Sequence, residues 1–362
     1  MNRSLAALPA VLVFAACSSS SMPGSPATGT SSSAASVKMP AHATAHAITH
    51  AQSRRHHPSP TPSPTPTPAG IPTASPTPLP AITNLRGITY DDISGTCSAS
   101  SQELATEQAL NNPTVRVVFD NVPASCYTSA IQSFDQYGRT MGELIDSSDM
   151  TSYSLSQVQS RVSDYVSTLG NSVNIWEIGN EVNGEWLSNV NCSGGNECSA
   201  QANDVMSKIE AMYNGVTAAG GTPEITLYYE PPQTVTPGYD MINWEETYIP
   251  ASMHQGLKYV LVSYYETDNN GIRPTQAQWD TIFKQLATDF PNAKVGFGEI
   301  GMDNPITSST LSKATSIFNY YQELQFPDIP QYTRAGFWWY GAEDLAPSTK
   351  WPAFFNDVQS NL

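Results

Sequence analysis

Eight short β-branched or aromatic runs, segments of helical period between them, and 282 residues from 81 to 362 to hold them predict an α/β fold. Its expected form is a (β/α)8, or TIM, barrel. In chain order the strand candidates are Gly87–Tyr90, Thr114–Asp120, Gly142–Asp146, Val173–Gly179, Glu224–Tyr229, Tyr259–Tyr264, Lys294–Gly298 and Ala335–Trp339. The connecting segments carry apolar stripes on one helical face: Val205, Ile209, Met212 and Val216; Trp279, Ile282, Phe283 and Leu286; Leu311, Ala314, Phe318 and Tyr321. A doubly wound open sheet is the alternative topology. Such a sheet usually announces its ligand by a glycine-rich turn after the first strand, and no G-x-G-x-x-G or Walker sequence occurs here.

The first 80 residues read as an address and a tether. Arg3 precedes an apolar stretch from Leu5 to Ala16 that is too short to span a bilayer, so residues 1–16 are expected to be a signal peptide. The stretch ends Phe14-Ala15-Ala16-Cys17, which resembles the lipobox of bacterial lipoproteins; that likeness implies a lipid anchor on Cys17. Residues 18–57 are mostly Ser, Ala, Thr and His, and Pro58 to Pro80 alternate Pro with Ser or Thr. Neither composition buries enough apolar surface to offset chain ordering, so residues 17–80 are expected to be disordered. The Pro-rich part predicts a semi-rigid spacer of roughly 70 Å at about 3.1 Å per residue.

Charge and histidine usage exclude several chemistries. The chain has 16 basic and 32 acidic residues, a net charge of −16. Its first 80 residues contain four basic residues (Arg3, Lys38, Arg54, Arg55) and no acidic one, which leaves −20 on residues 81–362. A body so acidic repels phosphate backbones, so nucleic acid is not an expected partner. Five of the six histidines lie before residue 81, so a His-rich metal site is not expected in the body, and a Ser-His-Asp hydrolase would depend on His254. That residue precedes the sixth strand, away from any strand end.

In a (β/α)8 barrel the chemistry sits where strands end. The fourth strand runs Asn174-Ile175-Trp176-Glu177-Ile178-Gly179-Asn180-Glu181, and the seventh runs Lys294-Val295-Gly296-Phe297-Gly298-Glu299. Each brings a carboxylate to its end, in phase with apolar residues below it (Val173 and Ile175; Val295 and Phe297). The two-residue strand period therefore predicts that both point inward, facing one another across the mouth. Two such carboxylates are the equipment of glycoside hydrolysis.

These segments resemble the clan A, or 4/7, retaining glycoside hydrolases. Ile175 to Glu181 is similar to their strand-four Asn-Glu signature, and Gly296-Phe297-Gly298-Glu299 to their strand-seven nucleophile segment. The resemblance covers residues 81–362 and implies Glu181 as acid/base, Glu299 as nucleophile, and Asn180 on the sugar 2-hydroxyl. It also implies Arg116 and Tyr265 as residues holding the nucleophile, and Trp338 or Trp339 as the sugar platform. The family's strand-six His-x-Tyr is here Ser263-Tyr264-Tyr265, which departs from the commonest cellulase-like members. Glu177 is expected to be structural and to pair with Arg116, because an unpaired charge inside a barrel costs several kcal/mol. Glu143, Glu230, Glu266 and Asp303 also fall near strand ends, where they can meet sugar hydroxyls. Tyr90 and Trp186 read equally as packing or as sugar platforms.

The expected function is thus a two-step, configuration-retaining hydrolysis of a β-linked glycan or oligosaccharide, with no metal or organic cofactor. The chain is expected to be exported, held at the cell envelope and monomeric. The competing reading is a carbohydrate-binding barrel lipoprotein without turnover. Besides Cys17 there are four cysteines, an even number in an exported chain, so disulfides are expected: Cys97–Cys126 and Cys192–Cys198 among the three connectivities.

Overall fold

The computed structural model describes residues 85–91, 97–184, 186, 198–235, 239–302, 305–338, 345, 347 and 349–361. The expected leader, tether and acylated Cys17 lie outside the described residues. Eight parallel strands close into a barrel in sequence order: β1 (Gly87–Asp91), β2 (Thr114–Val118), β3 (Arg139–Glu143), β4 (Ile175–Glu177), β5 (Pro223–Tyr228), β6 (Tyr259–Tyr264), β7 (Lys294–Ile300) and β8 (Phe337–Trp338). Closure is made by β1 on β8, with Gly87 opposite Phe337 and Ile88 opposite Trp338. No described helix is long and apolar enough to cross a membrane.

The helices follow as the apolar stripes require: α1 (Ser101–Ala109), α2 (Thr128–Phe134), α3 (Leu155–Leu169), α4 (Ser199–Ala218), α5 (Met241–Tyr248), α6 (Ala251–Gly256), α7 (Gln276–Asp289), α8 (Leu311–Glu323) and α9 (Pro352–Asn361). Capping boxes start α1 (Ser100 with Glu103), α3 (Ser154 with Gln157) and α7 (Thr275 with Gln278), satisfying amide donors that a first turn leaves open. Val205, Ile209, Met212 and Val216 are all buried, as are Trp279, Ile282, Phe283 and Leu286. In the α8 stripe Ala314, Phe318 and Tyr321 are buried while Leu311 is half-buried at the edge.

Two apolar regions result. The larger fills the space between strands and helices. A smaller one, of Leu85, Met141, Ile175, Tyr259, Leu261 and Ala335, packs apart from it as a plug inside the lower barrel. Above that plug the interior turns polar.

The third strand departs from the expected bounds: it spans Arg139–Glu143, three residues before the expected Gly142–Asp146. Arg139 and Thr140 look like loop residues by polarity, yet their backbone ladders onto β2, with Thr114 opposite Arg139. Leu144 and Ile145 supply the apolar character that drew the prediction later, but they are buried just beyond the strand end. There Arg161 of α3 donates from Nε to the Leu144 carbonyl (2.5 Å) and from Nη2 to the Phe119 carbonyl (2.9 Å). One buried guanidinium thereby fastens the ends of β2 and β3 to the helix that follows.

Cys97 and Cys126 form the expected disulfide between the segments after β1 and β2, with Cα atoms 5.6 Å apart. Cys198 is also disulfide-bonded; its expected partner, Cys192, lies outside the described residues.

Candidate active site

Arg116 projects from the middle of β2, between Val115 and Val117, into the polar half of the barrel. Its guanidinium meets three carboxyl groups: Nε lies 2.6 Å from Glu177 Oε2, Nη2 3.0 Å from Glu143 Oε2, and Nη1 2.7 Å from Glu299 Oε1. None of these four side chains is more than 1 % exposed. Burial works against the charge of Arg116, but Glu177, Glu299 and Glu143 together hold its pKa well above the ordinary value. Glu177 pairs with Arg116 as its position in the strand suggested.

Glu299 is the focus of the cluster. Besides Arg116, it accepts from the Tyr265 hydroxyl at Oε2 (2.8 Å) and from the Asn180 amide at Oε1 (3.2 Å). Burial pushes its pKa up to about 8; Arg116 pulls the other way, the charge of Glu181 raises it further, and the Tyr265 hydrogen bond lowers it. Glu181 follows Asn180 directly in the chain, at the same end of the barrel. The fourth and seventh strand ends thus bring Asn180, Glu181 and Glu299 together with Arg116 and Tyr265.

The two strands aim their carboxylates by different devices. At β4 the strand has ended, and Glu181 takes a left-handed backbone conformation (φ 44°) in the turn that follows. Behind it Asn183 donates from Nδ2 to the Tyr228 carbonyl (2.9 Å) and accepts the Tyr228 N–H (2.7 Å), which pins this turn to the end of β5.

At β7 the expected alternation is wrong. Phe297 points outward, its ring packing against Trp279 and Phe283 of α7 and Tyr321 of α8 at centroid distances of 4.9, 5.0 and 4.9 Å. Gly298 faces the interior, where a Cβ would stand 2.9 Å from Thr226 Cγ2 and 3.1 Å from Ser263 Oγ. A simple alternation would send Glu299 outward with Phe297. Instead β6 advances two residues, from Val262 to Tyr264, while β7 advances three, from Phe297 to Ile300. That extra residue is a bulge on β7, and it rotates Glu299 inward. The Glu299 N–H donates to Ser263 Oγ at 3.0 Å. Ser263, noticed only as the place of a missing histidine, is the acceptor that stabilises the bulge.

Other residues that the sequence left open now have partners. Glu143 lies on Arg116; burial pushes its pKa well up, against Arg116 and with Glu177, Asp146 and Glu299. Glu266 pairs with Arg273 at 2.6 Å. Glu230 is buried at 8 % exposure. Tyr90 and Trp186 are packing residues: the Tyr90 hydroxyl donates to the Ser98 carbonyl (2.6 Å) and Trp186 Nε1 to the Val182 carbonyl (2.8 Å). His254, in α6, stacks on Phe290 and lies 3.4 Å from Glu245 Oε2, with no serine-based triad assembled on it among the described contacts. Asp303 and Trp339 lie outside the described residues. Trp338 lends its backbone to β8, and its side chain lies outside the description as well.

Sequence reasoning missed the layer beneath: Thr226, Glu224 and Asn269. Thr226 Oγ1 lies 2.8 Å from Glu177 Oε1 and 2.9 Å from Glu224 Oε1. Asn269 donates to the Tyr265 carbonyl (2.9 Å) and to the Tyr228 hydroxyl (2.8 Å), steadying the segment that carries Tyr265. Single polar residues in strands leave no spacing signal; only the barrel closure brings them together.

No family model matches the chain, and no curated protein does. Among solved structures the chain is similar to a GH5-4 broad-specificity endoglucanase from an uncultured bacterium, at 10 % identity and TM-score 0.50, over 75 % of this chain and 94 % of that one. It is also similar to a family 1 β-glucosidase from Thermotoga maritima, at 10 % identity and TM-score 0.49, over 72 % and 88 %. A third similar structure is the intracellular xylanase TsXylA from Thermoanaerobacterium saccharolyticum, at 12 % identity and TM-score 0.48, over 71 % and 86 %. At such identities the likeness, carried by the endoglucanase, concerns architecture alone: the chain shares that structure's fold, which here is the closed eight-stranded parallel barrel.

Proposed function

We propose that this protein is a retaining glycoside hydrolase acting on a β-linked glycan or oligosaccharide, with Glu299 as nucleophile and Glu181 as acid/base. The observation that carries the reading is the surrounding of Glu299. A guanidinium, a phenol hydroxyl and a carboxamide converge on its two oxygens, with Glu181 next to Asn180 at the same end of the barrel. All three groups offer hydrogens, so they favour the ionised form of Glu299 that an attack requires.

In this mechanism Glu299 attacks the anomeric carbon while Glu181 gives its proton to the departing oxygen, and a covalent glycosyl-enzyme forms. Water then enters, Glu181 takes its proton, and the sugar leaves with its original configuration. Asn180 binds the 2-hydroxyl, where its hydrogen bond strengthens at the transition state. Trp338 or Trp339 forms the floor on which a sugar ring stacks. The reading also places the domain outside the cytoplasm, tied to the membrane by lipid on Cys17 through the tether of residues 17–80.

The test is hydrolysis of a panel of aryl β-glycosides and β-linked oligosaccharides, with the anomer first released followed by proton NMR. Retention is expected, and it requires the carboxyl groups to lie about 5–5.5 Å apart. An inverted product, or binding of oligosaccharides without turnover, rejects the assignment. Cell fractionation and lipid labelling of the wild type and Cys17→Ser check the anchor separately.

A further inference from the structure

Beneath the nucleophile the barrel holds more carboxyl groups than its guanidinium can serve. In the strand register Glu143 of β3 stands opposite Glu177 of β4, and Glu177 opposite Glu224 of β5, so three carboxyl side chains occupy adjacent strands at one level. Glu143 and Glu224 are 1 % and 0 % exposed. Arg116 lies on Glu143, Glu177 and Glu299 through its three nitrogens, and among the described residues no ion pair joins it to Glu224.

The hydrogen count around Thr226 then decides which group is neutral. Its hydroxyl oxygen lies within hydrogen-bond distance of a carboxyl oxygen of both Glu177 (2.8 Å) and Glu224 (2.9 Å). A hydroxyl has one hydrogen to donate and lone pairs to accept with. It satisfies two carboxyl groups only if one of them brings a hydrogen of its own. Glu177 already lies on Arg116 Nε at 2.6 Å and is the ion of the two. Glu224 has no such partner, so the added hydrogen is on Glu224.

We propose that Glu224 is a neutral carboxylic acid in the folded protein. In this arrangement it donates to Thr226, Thr226 donates to Glu177, and Glu177 sets the guanidinium that holds Glu299. Glu224 is then a positioning residue: it touches no reacting atom, and this role rests on the glycosidase reading given above. The groups that bear on it agree. Burial comes first and the charge of Glu177 second in holding its pKa well up, against Thr226, Arg116 and the Leu261 N–H of β6. Buried carboxylic acids that stay neutral so that they can donate a hydrogen bond are known chemistry. Were Glu224 to ionise, it would compete with Glu177 for the one Thr226 hydrogen and loosen Glu177 on Arg116.

Infrared difference spectroscopy of the intact folded chain tests this. The wild type minus E224Q spectrum at neutral pH should contain the C=O stretch of a protonated carboxyl, and T226V should move that band to higher frequency by removing its acceptor. In the wild type alone, sequentially assigned isotope-labelled glutamate should place the Glu224 carboxyl signal at the protonated position, apart from that of Glu107, and it should not titrate through the neutral range. That measurement needs no variant to fold. On a hydrolysed β-glycoside, T226V should lower kcat roughly tenfold with KM unchanged, the loss of one hydrogen bond to a charged group. E224Q, which keeps a donor but cannot ionise, should move the alkaline limb of the kcat profile to higher pH. Absence of both the band and the NMR signal overturns the proposal even if the protein hydrolyses β-glycosides. Their presence in a protein without glycosidase activity sustains the neutral Glu224 and sinks the glycosidase reading instead.

Discussion

The two strands that supply the carboxylates reach the same cavity in opposite ways. β4 stops early, at Glu177, and the chain turns through a left-handed residue to deliver Glu181. β7 runs on to Ile300 and delivers Glu299 from within the strand, through a bulge whose free N–H is taken by Ser263. The first device costs about 1–2 kcal/mol of backbone strain in a non-glycine residue. The second costs a ladder hydrogen bond that a neighbouring hydroxyl replaces. Glu299 is consequently clamped by three side chains on a rigid strand, while Glu181 sits on a turn. In the proposed mechanism a nucleophile that must attack along one line gains from the clamp on β7, and a proton donor that later becomes a base works from the turn after β4.

The sharpest way to break this contrast is to remove each carboxylate in turn. Glu299→Ala should lose roughly 10⁴-fold or more in turnover, and Glu181→Ala about 10²–10⁴-fold. Azide should rescue both variants, giving a glycosyl azide of retained configuration from Glu181→Ala and of inverted configuration from Glu299→Ala. The same anomer from both would erase the difference in role.

Next in size is the clamp. Arg116→Met leaves Glu143, Glu177 and Glu299 buried without their cation and should destabilise the fold by about 3–5 kcal/mol, measured by denaturant unfolding. Ser263→Ala is subtler and bears on β7 alone. It strips the bulge of its acceptor, so stability should fall by about 1–3 kcal/mol and kcat should fall while KM holds. An unchanged kcat would mean that Arg116, Tyr265 and Asn180 aim Glu299 without help from the bulge.

The smallest effect is expected away from the site, where a buried acid has no clamp. Glu107 of α1 is 1 % exposed, and no hydrogen bond reaches its oxygens among the described residues. Burial, and then the charge of Asp135, pushes its pKa up from 4.5 to about 9. The unfolded chain releases this proton first, so the contribution of Glu107 to stability is complete at acid pH and is lost as pH rises through that window. Glu107→Gln should match the wild type in acid and exceed it in mild alkali, read as thermal midpoint against pH.

Much of the barrel was legible because a parallel sheet covered on both faces leaves runs of β-branched and aromatic residues that no helix period explains. Arg116, in Thr-Val-Arg-Val-Val, was legible only through the family resemblance. The start of β3 was not legible, because Arg139 and Thr140 are held by backbone pairing to β2 rather than by apolar side chains. Nor was the direction of Glu299. The count from Val295 through Phe297 gave an inward carboxylate by way of inward apolar residues. The carboxylate is inward, but those residues face the helices, and the bulge reconciles the two.

By itself, then, the sequence determined the strand–helix alternation and the carboxylates at the ends of the fourth and seventh strands, while the family resemblance singled out Arg116, Asn180 and Tyr265. The alternation and the two carboxylates follow from local apolar periodicity and from chemistry written at single positions. Only the tertiary structure decided how the carboxyl groups share one guanidinium, why Glu299 turns inward, and where Thr226 leaves room for just one ionised neighbour. These depend on register between strands far apart in the chain, and register is fixed by closing the barrel, which no local window of residues contains.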